Sequence, residues 1–228
     1  MPRMKGWILR MERTITIKGI GRATAKVDTV VILMKLNTVE REYDAAMDKA
    51  SDEIETLRAV LYAVGFKKDR LKTTDFNVDT EYESKRDSDG NYTSRFVGYC
   101  VSHSLKLTFD FDTDLLNRTL CTISRCAAHP KISVSFTVGD ATAIKDELLR
   151  SAAQNAREKA EVLASASGVT LGEIVNIIYD WAEINVFSQT RFMGCDYDEM
   201  PCTAAKPMDI EPEDIDVKDS VTFVWSII

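Results

Sequence analysis

The chain has 228 residues, 45% of them hydrophobic and 29% charged, which is enough to bury a sizeable core without disulfides or metal. Net charge is −7, and no run of Lys and Arg exceeds a pair such as Lys67-Lys68. A phosphate-binding surface needs clustered cations, so the composition argues against nucleic acid and an anionic membrane as partners. No stretch approaches the roughly 20 apolar residues of a membrane span.

The N-terminal MPRMKGWILRMERT is basic, and its apolar part is only Trp7-Ile8-Leu9. A secretory signal needs roughly 7–15 apolar residues and a small-residue cleavage site. Residues 1–13 are therefore expected to be a flexible tail, with Met11 an alternative start, and the expected location is cytoplasmic. Residues 14–20 alternate as a strand, and Gly19 and Gly21 are expected to mark a bulge or sharp bend. Val30, Ile32, Met34 and Leu36 alternate in a second strand. From about residue 41 to 64, Tyr43, Met47, Ala50, Ile54, Leu57 and Leu61 form one helical stripe, and Gly65 is placed to end it in a left-handed conformation.

Leu71, Thr73, Phe76, Val78, Thr80 and Tyr82 read as a strand whose phase shift after Thr73 implies a bulge. Residues 87–91, DSDGN, form a turn. Tyr99, Val101, His103, Leu105, Leu107 and Phe109 follow on one strand face. Asp112 or Asp114 caps a helix with the stripe Leu116, Leu120, Ile123 and Ala127. Ile132, Val134, Phe136 and Val138 alternate in the next strand.

A helix then runs from Asp140, read as its cap, to near Gly168, with Ala152, Ala156, Ala160 and Ala164 four residues apart. Residues at that spacing share one helix face, and a face of methyl groups lets the axis come close to a sheet. Two strands remain, one with Val175, Ile177, Tyr179 and Trp181, the last with Val221, Phe223, Trp225 and Ile227. Residues 184–216 between them read as a mobile loop, lid or contact arm.

This order predicts an α+β fold. Residues 27–139 give strand–helix–strand twice, the ferredoxin-like βαββαβ arrangement, with both helices on one sheet face. Residues 14–26 and 140–228 supply a second α/β layer containing the alanine-rich helix.

The chemistry-bearing residues close no site. Gly19-Ile20-Gly21 lacks the third glycine of a dinucleotide fingerprint and precedes a strand, whereas a phosphate site needs a helix N-terminus. Cys121, Cys126 and His129 lack a fourth metal ligand. Asp87, Asp89 and Asn91 resemble half a calcium loop, but Gly90 comes fourth where an EF-hand needs it sixth. The two histidines, His103 and His129, have no triad spacing with a nucleophile, and there is no GxSxG elbow. No catalytic residue, cofactor or metal is assigned. The five cysteines, Cys100, Cys121, Cys126, Cys195 and Cys202, are odd in number and irregularly spaced, as expected of reduced thiols. Phe187 and Phe192 can serve as core or as an oligomer contact; Trp181 and Trp225 read first as core and also as interface candidates.

The chain resembles the SIMPL-domain family over roughly residues 13–228. The matching residues are Thr16-Ile17-Lys18-Gly19-Ile20-Gly21, Asp28, Gly65-Phe66 with Leu71-Lys72-Thr73, Tyr82, and DATAIKDELLRSAAQNAREKAEVLASASGVTLGEIVNI from Asp140. Val27 stands where the family usually shows proline. The resemblance implies two intertwined α+β halves, frequent self-assembly, no established catalytic residues, and bacterial relatives often periplasmic and loosely tied to stress defence. A homo-oligomer is therefore expected. The alternative is a small-molecule or metal-dependent enzyme with residues 184–216 as its lid.

Overall fold

A computed structural model of the protein describes residues 13–86, 92–180, 184–193 and 210–228. The tail before Arg13, the turn at 87–91 and Trp181 lie outside them, as do Cys195 and Cys202. In chain order the elements are β1 (Thr14–Ala25), β2 (Thr29–Glu40), α1 (Tyr43–Val64), a 3-10 turn (Lys68–Arg70), β3 (Leu71–Arg86), β4 (Tyr92–Asp110), α2 (Thr113–Ser124), β5 (Lys131–Thr137), α3 (Thr142–Ala166), β6 (Leu171–Tyr179), β7 (Phe187–Met193) and β8 (Ile215–Ile227). The fold is α+β, with these strands in two antiparallel sheets. The chain divides into two compact units, one of residues 27–139 and 187–213, the other of the remainder.

In the first unit the sheet order is β3-β4-β2-β5-β7. Its first four strands have the ferredoxin-like order, and every pairing is antiparallel. Ile54, Leu57 and Leu61 of α1 share one core with Leu116, Leu120 and Ile123 of α2 and with Val30, Ile32, Leu105, Leu107, Val134 and Phe136 of the sheet. Both helices therefore cover the same face. Gly65 ends α1 at φ +113°, its N–H bonded to Leu61 and Tyr62 carbonyls. Asp112 caps α2 by accepting the Leu115 N–H at 2.8 Å. The bulge after Thr73 is present as a register shift between Thr73 and Asp75.

Asp28 ties three strand ends together. Its carboxylate accepts from the Thr29 hydroxyl and the Gly139 N–H, both at 2.7 Å. Its own N–H bonds to Thr137 O and its carbonyl accepts from Phe111 N–H. Residues 184–216 are not one loop: β7 lies within them and pairs with β5, and β8 begins at Ile215. The Ser188 hydroxyl fastens β7 further by donating to the Glu213 carbonyl at 2.7 Å. A lid made of the whole segment is ruled out because hydrogen bonding fixes part of it to the sheet.

In the second unit α3 packs on a sheet of order β1-β8-β6. Ala152, Ala156, Ala160 and Ala164 are at most 2% exposed. Ala152, Ala156 and Ala160 meet Ile17 of β1 and Val221, Phe223 and Trp225 of β8. The register of β1 on β8 runs unbroken from Thr14↔Ser226 to Ala25↔Ile215, so Gly19 and Gly21 mark neither bulge nor bend. They are where the helix touches the strand. A Cβ on Gly19 would stand 2.0 Å from Ala152 O and 2.7 Å from Ala156 Cβ, and one on Gly21 2.0 Å from Leu148 O. Glycine is required there for close approach of two backbones. The helix starts one residue later than the sequence reading, after Ala141, and Asp140 accepts the Thr142 N–H at 2.9 Å.

Candidate functional site

Three places carry more than packing: a buried histidine, a cationic trough beside it, and the outer edge of β6. His103 sits on β4 opposite Leu36, on the face that α1 covers. Its Nε2 and the Thr73 hydroxyl are 2.8 Å apart, and its ring meets Phe76 edge-on at 5.2 Å. Burial, and then the positive charge of Arg58, push its protonation below the ordinary imidazole range. His103 Nδ1 and Arg58 Nε are both buried without a hydrogen-bond partner. The Thr73 hydroxyl is the one nucleophilic group among these contacts, and no carboxylate meets Nδ1 to orient the ring as a triad needs, so the geometry is that of a core histidine.

Arg58 also lines an open trough of about 520 Å³. Leu61 and Ala59 of α1, Phe66 and Leu71 form its apolar surface, with Tyr62 at the rim. Lys67 and Lys68 stand with Arg58 around it, and Glu55 is the one acidic lining residue. The α1 stripe, the left-handed Gly65 and the 3-10 turn bring these residues together within seventeen positions of chain. None of the three cations forms an ion pair among the described residues, where the pairs are Lys49–Glu40 and Arg157–Glu161.

The two edges of the β1-β8-β6 sheet differ. At the β1 edge, Asn155 Oδ1 accepts the Ile20 N–H at 3.0 Å and Ser151 Oγ accepts the Arg22 N–H at 3.2 Å. Lys159 donates to the Lys18 carbonyl at 3.3 Å. Side chains of α3 thus occupy backbone groups that a further strand would use. At the other edge β6 ends the sheet. Ile174, Val175, Ile177 and Ile178 there are 50–54% exposed. Consecutive positions of a strand face opposite ways, so both faces of this edge are apolar. The core under that helix meets β6 at its two ends, through Leu171 and Tyr179.

The remaining sequence candidates lie apart. Phe187 is exposed at the start of β7, and Phe192, further along that strand, is half-buried against the core of its unit. Trp225 is 5% exposed and stacks on Phe223. Cys126 is buried and Cys100 and Cys121 are half-buried, with no disulfide at any of the three among the described residues. His129 adopts φ +44° just before Pro130, in the connection from α2 to β5. The sequence reading missed the trough and the contrast between the sheet edges. The pair Lys67-Lys68 close after an apolar helix stripe was the available signal for the first.

The order of elements, the glycine pair under the alanine ladder and the Asp28 junction all fall inside one family match. The SIMPL family model, described as a protein of unknown function (DUF541), matches residues 15–225. The chain belongs to the SIMPL family. No curated protein matches it. In this SIMPL protein the matched span runs from β1 into β8, so it takes in both units.

Proposed function

We propose that this SIMPL protein is a non-enzymatic, self-associating protein whose copies join along the outer edge of β6. The supporting observation is the contrast between sheet edges: α3 side chains block β1, while β6 offers a row of half-exposed aliphatic residues. Edge strands of monomers are ordinarily guarded by lysine, proline or short length. Residues 171–179, LGEIVNIIY, contain neither lysine nor proline. Antiparallel pairing with a second copy about a two-fold axis joins identical edges and removes both at once. The odd cysteine count favours a reducing, cytoplasmic setting.

Light scattering with native mass spectrometry should find a dimer or larger assembly. The double variant Ile174→Lys/Ile177→Lys should give monomer with an unchanged circular dichroism spectrum. A parent protein that is monomeric at tens of micromolar, or an assembly indifferent to those two lysines, overturns the reading.

A further inference from the structure

We propose that the trough between the C-terminal half of α1 and the start of β3 binds a single-chain anionic amphiphile, its hydrocarbon against Leu61, Phe66 and Leu71 and its head group among Arg58, Lys67 and Lys68. The trough's volume of about 520 Å³ falls in the range of small-ligand sites, roughly 300–1,000 Å³. Its composition fits that class: an apolar surface with a few charged groups, three cations against the single carboxylate of Glu55.

Charge complementarity selects the ligand. The protein carries a net charge of −7, yet three cations meet here around one carboxylate, Glu55, and none of the three is paired among the described residues. Arg58 is partly buried, and a guanidinium in that position gains from a carboxylate or phosphate partner that it can meet with two N–H groups. The two lysines stand where the chain turns from Gly65 into the 3-10 turn, so they add charge without closing the trough. Three cations suit one head group; they are far fewer than a nucleic-acid or membrane surface needs. This site belongs to the unit of residues 27–139 and 187–213, and β6 to the other, so the inference stands apart from self-association.

The test uses the whole protein with decanoate, with decyltrimethylammonium of the same chain length, and with acetate as the head group alone, all below their micellar concentrations. Decanoate should bind saturably by calorimetry. The cationic amphiphile and acetate should each bind at least tenfold more weakly. In two-dimensional NMR the decanoate shifts should centre on residues 55–71. An anion beside Arg58 offsets the charge that disfavours protonation of His103, so decanoate should move the His103 titration toward its ordinary value of 6.5. The double variant Lys67→Glu/Lys68→Glu, at exposed positions, should keep the fold and weaken decanoate binding at least fivefold. Equal binding of the two amphiphiles, shifts spread over the surface, or unchanged affinity in the double variant would each refute the proposal.

Discussion

The imidazole of His103 is buried, shares one nitrogen with Thr73 and feels the charge of Arg58, so the folded chain disfavours its protonation more than the unfolded chain does. Its pKa is lowered on folding, so near and below 6.5 the unfolded state binds the extra proton first. The contribution to stability is complete above the unfolded value of 6.5 and is lost as pH falls through the lowered folded value. Urea midpoints measured from about pH 8 to about pH 5 should fall more steeply for the parent than for His103→Gln, which keeps a polar atom near Thr73 without a titrating ring. Parallel curves would show that His103 titrates as freely in the fold as outside it. At this scale the sequence was informative about faces and silent about partners. Alternation put His103 on the apolar side of its strand. Thr73 lies thirty positions away and Arg58 on another element, and only the assembled fold brings them to the ring.

Elements were the most legible scale, because period and punctuation are local. The four-residue alanine repeat, the stripe ending at Gly65 and the Asp112 cap all depend on neighbours within one or two turns. The glycines at 19 and 21 were misread for the converse reason. Within the strand they look like a bulge, and their cause, the backbone of α3 at Leu148 and Ala152, lies about 130 residues on. β7 escaped because FSQTRFM has no apolar alternation, and it is held by pairing with β5 and by the Ser188 hydroxyl. The helix–strand contact leaves no space for a larger side chain on either partner. Ala156→Leu should lower stability by about 1–3 kcal/mol through overpacking, although leucine is a good helix former. Gly19→Ala should cost at least as much, since its Cβ meets backbone that cannot rotate away. Glu158→Ala, on the exposed face, should stay within about 0.5 kcal/mol of the parent. Denaturant midpoints of the three variants decide the matter, and a parent-like Gly19→Ala would mean that α3 does not sit on β1 as described.

For the whole molecule, the interleaving of the chain matters most. The unit of β1, α3, β6 and β8 is assembled from three separated stretches, with the ferredoxin-like unit inserted between them. β8 is the middle strand of its sheet: β1 and β6 are each paired to it and not to each other. It also supplies Val221, Phe223 and Trp225 to the core under the alanine ladder. Without it, β1 and β6 lose their pairing partner and the helix loses Val221, Phe223 and Trp225, keeping Ile17 as the buried residue of its floor. A hairpin-sized remnant is at best marginally stable, so the unit should not form. The ferredoxin-like unit keeps all five strands and both helices if the chain ends at Glu213. Limited proteolysis of that truncated protein, followed by mass spectrometry, should therefore show rapid cleavage within 140–186 and a protected fragment covering 27–139. The parent should resist cleavage at the same 140–186 sites. Equal loss of both regions would show that the two units fold only together, and a protected 140–186 segment would show that α3 finds its support without the last strand.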